Sequence, residues 1–175
     1  MEGRIVVGEH SREEILASLD AIGEMAVSTR SGSRLRSRMM HFAADRDFRV
    51  YAASMKGDPK TLQVVNDPAI ALLVLDRRGD QAAWREIEIT GRAAIVTGAA
   101  ERERGLAMVA APSPIVAHLA AAGQTDILDL IRITPLEVKM RVFGEIVAGM
   151  PPTVVEFEEN ARAESDLALV RRRLG

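Results

Sequence analysis

Three arginines occupy alternate positions in a segment that has the pattern of a β-strand. Successive side chains of a strand point to opposite faces, so Arg34, Arg36 and Arg38 share one face. Neighbouring guanidinium groups repel one another, and each can bind a phosphate through two parallel hydrogen bonds. The row is therefore a candidate anion site. The alternative is a solvated strand face with acidic neighbours.

A second candidate lies at the start of a predicted short helix. Gly57-Asp58-Pro59 indicates a helix start with Asp58 as the N-cap, which places Lys60 in the first turn. Free amide groups at a helix N-terminus attract anions, and a lysine there is otherwise unfavourable against the helix dipole. Because Asp58 already caps this helix and Pro59 removes one donor, a surface lysine is the alternative interpretation.

Sequence motifs for other chemistry are missing. The three histidines, His10, His41 and His118, do not have the spacing of metal ligands, and the chain has no cysteine. Neither the phosphate-binding loop G-x-x-x-x-G-K-[ST] nor the nucleophile motif G-x-S-x-G occurs. We therefore assign no catalytic residue and no metal site.

Composition limits the class of protein. The 175 residues have a formal net charge of −2, which argues against general nucleic-acid binding. No apolar run approaches the ~20 residues that span a bilayer, and the N-terminus lacks a leader pattern. We expect a cytoplasmic, single-domain protein, with the domain in residues 1–155 and a charged C-terminal tail or helix in residues 156–175.

The elements that must position the candidate residues begin with a helix and a meander. Ser11 and Glu14 form a capping-box pattern, and Gly23 is a plausible helix stop. Short β-rich segments separated by turns then predict a three-stranded meander over residues 24–53. The third strand of this meander starts near Phe48.

The second half of the chain alternates strands and helices. The apolar run at 69–76 predicts a strand buried on both faces, and strict alternation predicts strands at 84–97 and 136–143. Two helices are expected within residues 99–122. Together these elements predict an α+β, mainly β fold: a six-stranded antiparallel barrel with flanking helices, closed so that no edge remains.

The order of these features resembles the pyridoxamine 5′-phosphate oxidase-like family of split-barrel flavin proteins, from about Ile15 to Phe143. Three pieces carry the resemblance. LRSRMMHF (35–42) is similar to the family's second strand. VYAASMKGDPKTLQVVNDPAIALLV (50–74) is similar to its strand, lysine-bearing helix, Asn-x-Pro stop and apolar strand. WREIEITGRAAIV (84–96) is similar to the strand that ends in Gly-x-Ala.

The resemblance implies that FMN binds at the interface of a homodimer. One strand would line the phosphate and an edge of the flavin ring through Arg36, Ser37, Arg38, Met39 and Met40. The next strand would meet the ring with the backbone of Ala52, Ala53 and Ser54. The helix start would hold the phosphate through Lys60 and Thr61. The partner subunit would contribute Lys139 or Arg141.

Two positions depart from the family pattern. Asp58 stands where the family often has a serine, and Glu86 stands where pyridoxamine phosphate oxidase itself has a glutamine that contacts the flavin. The C-terminal substrate-binding segment of that enzyme is not evident either. We therefore do not expect a vitamin B6 enzyme.

Three functions remain open on this resemblance. The first is an FMN-dependent oxidoreductase that acts on a small-molecule substrate. The second is a flavin or haem binding protein without turnover. The third is a deazaflavin-dependent reductase, in which the row from Arg34 to Arg38 would hold the anionic tail of the cofactor.

Overall fold

The computed structural model describes residues 3–157, which contain nine strands and five helices. The strands are β1 (Arg4–Val7), β2 (Glu24–Ser31), β3 (Arg34–His41), β4 (Ala43–Ala44), β5 (Val50–Met55), β6 (Ala69–Asp76), β7 (Arg85–Ile95), β8 (Leu128–Val142) and β9 (Thr153–Glu156). The helices are α1 (Arg12–Ile22), α2 (Pro59–Asn66), α3 (Ala99–Ala110), α4 (Pro114–Ala121) and α5 (Phe143–Val147).

All strand pairs are antiparallel, and most strands follow one another in the order β1-β9-β8-β7-β6-β2-β3. The long strand β8 carries two partners on one side, because β5 pairs with its first part and β9 with its second part. Strand β7 runs along its other side, with an irregularity at Thr90/Gly91 opposite Pro135. A side chain at Gly91 would collide with the carbonyl oxygen of Thr134, so only glycine fits at this close approach.

The alternation seen in the sequence fills the core as predicted. Ile87, Ile89, Val138 and Met140 of β7 and β8 are fully buried, while the intervening charged side chains are partly exposed. A second apolar cluster lies between helices α3 and α4 and the ends of β5 and β8. Strand β5 is thus packed against β8 by apolar side chains of both the main core and the second cluster.

The helix ends confirm the capping predictions. Ser11 and Glu14 form the reciprocal capping box, and the chain leaves α1 through Gly23 at a φ of +66°. Helix α2 begins at Pro59 with Asp58 as its N-cap, as expected. The two helices predicted within residues 99–122 are α3 and α4.

Two expectations about the sheet are wrong. The third strand of the predicted meander, β5, does not pair with β3; it pairs with β4 and β8, and the barrel is not closed. The reason lies in the turn before β5. There the Asp45 carboxylate accepts hydrogen bonds from the amides of Asp47 and Arg49, both at 2.9 Å. This turn folds β5 back against β4 and leads it towards β8.

The strand count also differs, because six strands were expected. The additional strands, β1, β4 and β9, have two to four residues each, too few to show a period-two pattern. No helix within residues 3–157 is long and apolar enough to cross a membrane. The predicted C-terminal tail or helix lies outside the described residues except for Glu156 and Phe157.

Candidate functional site

A groove of about 220 Å³ opens where β3 and β5 separate. Strand β3 pairs only with β2, and β5 is covered by β4 only at Val50 and Tyr51. Within the described residues, the main-chain edges of 39–41 and 53–55 therefore lie along the groove without a strand partner. Such edges present N–H and C=O groups that a flat polar ring can bind.

The wall of the groove opposite these edges is largely apolar. It is formed by the end of α3, the start of α4 and the first residue of β8: Val109, Ser113, Ile115, Val116 and Leu128. Ser113 caps α4 by accepting a hydrogen bond from the amide of Val116, and its O–H can still donate. Apolar walls with a few polar groups are typical of small-molecule sites.

Arg38 projects from β3 towards α2 and is held by neutral groups. Its Nη1 and Nη2 atoms lie 2.7 Å from Thr29 Oγ1, and Nη2 lies 2.5 Å from Gln63 Oε1. Partial burial lowers the pKa of the guanidinium, while the Asp58 carboxylate raises it and Arg36 lowers it. The positive charge of Arg38 is therefore oriented by two neutral partners.

Lys60 makes a different kind of contact. Its Nζ atom lies 2.6 Å from Asp58 Oδ2, and its amide donates to Asp58 Oδ1 at 3.0 Å. The hydroxyl of Thr61 donates to the carbonyl oxygen of Asp58 at 2.7 Å. The hydrogen bond from Lys60 lowers the pKa of Asp58, so the carboxylate and the ammonium form a charged pair at neutral pH.

The structure brings most of the predicted site residues together. Met39, Met40, Ala53, Ser54 and Lys60 line the groove. A small cavity is lined by Lys60 again and by Arg38, Ala52 and Met40. Lys60 of α2 thus lines both the groove and this cavity, while Arg38 of β3 lines the cavity alone.

Three predicted residues lie outside this arrangement. Arg36 is exposed next to Arg38 and does not line the groove. Ser37 lies on the face of β3 opposite to that of Arg36 and Arg38, and its hydroxyl oxygen lies 2.9 Å from that of Ser28. Thr61 is buried and directed at the Asp58 carbonyl rather than at the groove.

Several residues of this region were missed by the sequence analysis. Gln63 follows Lys60 by three positions on α2, so the shared helix face was a usable signal for its contact with Arg38. His41 lines the groove and places Nε2 3.2 Å from Glu24 Oε1. No local sequence pattern indicated that α3 and α4 form a wall of the groove, because an apolar helix face is found in any helix that packs on a core.

The candidate contributions from a partner subunit are engaged within this chain. Lys139 Nζ lies 3.1 Å from Glu137 Oε1, and Arg141 Nη1 lies 3.1 Å from Glu86 Oε1. Glu86, the position that departs from the family's glutamine, therefore belongs to an ion pair between β7 and β8.

The residues at the groove fit one part of a flavin better than the other. Two free strand edges and an apolar wall suit the planar ring. Of the two cations that would hold a phosphate, Arg38 carries a charge without an acidic hydrogen-bond partner, whereas the charge of Lys60 is balanced by Asp58. The donor set thus fits a flavin with a weakened phosphate contact.

No family model and no curated protein matches the chain. Solved structures do match. One is assigned as a pyridoxamine 5′-phosphate oxidase, from Listeria innocua, with 20% identity, coverage of 76% of this chain and 98% of that chain, and a TM-score of 0.57. A second is an FAD-binding protein from Mesorhizobium loti, with 15% identity, coverages of 90% and 100%, and a TM-score of 0.58.

A third similar structure is a haem-binding protein from Mycobacterium smegmatis, with 12% identity. The match covers 82% of this chain and 62% of that chain, with a TM-score of 0.60. These identities are low, so the likeness concerns the fold. The chain has the split-barrel fold of the pyridoxamine 5′-phosphate oxidase-like, flavin-binding proteins, as the resemblance in its sequence predicted.

Proposed function

We propose that this protein binds FMN in the groove between β3 and β5 and is a flavin-dependent oxidoreductase acting on a small-molecule substrate. The observation that carries the proposal is the pair of unpaired strand edges, 39–41 and 53–55, next to Arg38 and Lys60. A bound flavin would supply the hydride or electron transfer itself. The chain then needs only to bind and orient it, which agrees with the lack of a catalytic motif.

The proposed roles follow from the positions of the side chains. The main-chain groups of Ala53 point away from β8 and would face the ring, with Ser54 beside them, and Met39 and Met40 would flank the ring from β3. Arg38, held by Thr29 and Gln63, would approach the phosphate in a fixed orientation. A guanidinium fixed by neutral partners keeps its charge available for an anion.

We also propose a homodimer that covers the outer face of this region. Leu35 and Met39 on β3 are 76% and 65% exposed, and Leu62, Val65 and Ile115 are similarly exposed. Several exposed large apolar side chains in one region are typical of an interface. Lys139 or Arg141 of the second subunit is the proposed partner contribution.

Sedimentation of the wild type should show a dimer, and Met39→Glu should shift it towards monomer. A wild-type monomer at micromolar concentration would contradict the dimer.

The test of the proposed function is an equilibrium titration of the purified protein with FMN, followed by flavin fluorescence and absorption. We expect saturable binding with one flavin per chain, and reduction of the bound flavin by a nicotinamide or other hydride donor. Bound flavin that no donor reduces would support a carrier instead of an oxidoreductase. A deazaflavin titrated in the same way distinguishes the deazaflavin alternative.

One observation favours a second candidate, haem. His41 is a potential axial ligand because its side chain lines the groove. Titration with haemin should then give a sharp Soret band that His41→Ala removes. If haem binds with this signature and FMN does not bind, haem replaces the flavin in the proposal.

A further inference from the structure

The start of α2, where an anion would be held, is already in contact with an acidic side chain of the chain itself. Asp58 Oδ2 lies 2.6 Å from Lys60 Nζ, and Oδ1 accepts the Lys60 amide at 3.0 Å. Side-chain exposures of 31% for Asp58 and 23% for Lys60 show that both groups sit at a partly enclosed surface. One carboxylate thus uses both the ammonium and an N-terminal amide of the helix.

The other cations nearby differ in this respect. Arg38 is bound by the oxygens of Thr29 and Gln63, which carry no charge. Within residues 3–157, Arg34 and Arg36 form no ion pair. A phosphate at this end of the groove would therefore be attracted by arginines from β3 and would face a negative charge from α2.

We propose that Asp58 competes intramolecularly with the phosphate of the flavin and so sets the ligand selectivity of the site. This inference rests on the proposed flavin binding. To contact Lys60 and the free end of the helix, the phosphate must displace the Asp58 carboxylate, because that carboxylate already binds both donors. This competition reduces what the phosphate adds to affinity. FMN and riboflavin therefore bind with affinities within about tenfold of each other.

A consequence is that this protein holds FMN as an exchangeable ligand. In a site where a lysine and a helix N-terminus bind the phosphate, that group makes charge-assisted hydrogen bonds and slows release. Here the same donors are satisfied before the ligand arrives. Most of the binding free energy then comes from the ring, which FMN and riboflavin share.

The experiment compares FMN and riboflavin in four proteins: wild type, Asp58→Asn, Lys60→Met and the double variant. Asparagine caps helices about as well as aspartate, so Asp58→Asn keeps the start of α2 while it removes the charge. We expect Asp58→Asn to raise FMN affinity about tenfold or more and to change riboflavin affinity less than about twofold. In the double variant the gain for FMN should be lost, because Lys60 is the group that Asp58 releases.

A matched control removes the charge of a different capping aspartate, Asp80, which follows β6. Asp80 accepts the amide of Ala83 at the start of a single 3₁₀ turn, so Asp80→Asn changes net charge and capping in the same way. It should leave both flavin affinities unchanged. Thermal unfolding of every variant checks that the fold is intact.

The possible failures are distinguishable. If riboflavin binds, but Asp58→Asn leaves the ratio of FMN affinity to riboflavin affinity unchanged, the inference is overturned and the proposed flavin site stands. An equal gain from Asp80→Asn would also overturn it, since a general charge effect would then be responsible. If neither flavin binds any of the proteins at about 1 mM, the proposed function fails and the inference fails with it.

Discussion

The sheet is continuous on one side of the molecule and interrupted on the other. Strands β6, β7 and β8 pair along their lengths, and the side chains facing the core there, such as Ile87 and Ile89, are fully buried. Strand β3 has a partner on one side only, and just Arg38, Met40 and His41 of its residues are partly buried. Both regions are β-strands with alternating side chains, but only the first uses both of its edges.

The difference indicates where the molecule meets other molecules. Unpaired edges and exposed apolar side chains favour association, so proteins usually cover them. The edges of β3 and β5 remain uncovered within the described residues, and two cationic side chains lie beside them. The paired side of the sheet should therefore control stability, and the open side should control binding.

The largest expected effect is on the paired side. Ile89→Ala removes a fully buried side chain from β7 and should lower the free energy of unfolding by about 2–5 kcal/mol. Met39→Ala, on the exposed face of β3, is the matched change and, at protein concentrations low enough for the chain to be a monomer, should stay within about 0.5 kcal/mol of wild type. Urea unfolding measures both. Similar losses at the two sites would contradict the division between the two sides.

Arg38 contributes both to stability and to the proposed binding site. Its removal should therefore lower the free energy of unfolding by an amount between those for Ile89→Ala and Met39→Ala. Arg38→Ala leaves Thr29 and Gln63 with only each other as partners and should cost about 1–3 kcal/mol of unfolding free energy. Together with Lys60→Ala it should lower the FMN affinity to that of riboflavin, a loss of about tenfold or less. Arg38→Lys, which keeps the charge and part of the contact, is the control. An Arg38→Ala protein of unchanged stability would show that these hydrogen bonds do not hold α2 to the sheet.

A smaller effect separates two aspartates that each bind a cation two residues further along the chain. The Asp76 side chain, 6% exposed at the end of β6, binds Arg78 through Oδ1 at 2.8 Å and Oδ2 at 2.7 Å. The hydrogen bonds from Arg78 lower the pKa of Asp76, and burial opposes this. We interpret Asp76 as structural and Asp58 as functional.

This interpretation predicts a pH dependence. A carboxyl whose pKa is lower in the folded state stabilises the fold above its unfolded pKa, about 3.9, and loses that contribution as pH falls through the folded value. Asp76→Asn should therefore destabilise the protein near pH 6, and the difference from wild type should shrink below about pH 4. Asp58→Asn should show the smaller stability change. The reverse order, measured by denaturation across pH, would refute the distinction.

The helix starts and the buried strands were predictable because their signals are local. Ser11 with Glu14 and Asp58 with Pro59 define caps from adjacent residues, and the alternation of Ile87 and Ile89 requires no knowledge of the partner strand. The separation of β3 from β5 was not predictable. It depends on the turn at Asp45, where Phe48 takes a φ of +60°, a conformation that no local pattern indicates.

The site was predictable to a similar degree. The resemblance placed Met39, Met40, Ala53, Ser54 and Lys60 together, and all of them line the groove. It assigned Thr61 to the phosphate because it follows the lysine, although the hydroxyl is directed at the Asp58 carbonyl. The α3–α4 wall depends on tertiary packing alone. The contact between Asp58 and Lys60 joins residues two positions apart, and the charge of Asp58 was the signal for it.

The most direct test of the central claim is an FMN titration of a variant whose groove is filled. Ala53→Trp places a large side chain on the β5 edge, and Ala94→Trp, on the exposed face of β7, is the control. We predict that Ala53→Trp weakens FMN binding by at least about tenfold, while Ala94→Trp binds FMN like the wild type and both variants remain folded. Unchanged FMN affinity in a folded Ala53→Trp protein would contradict the account, because the flavin would then bind somewhere other than between β3 and β5.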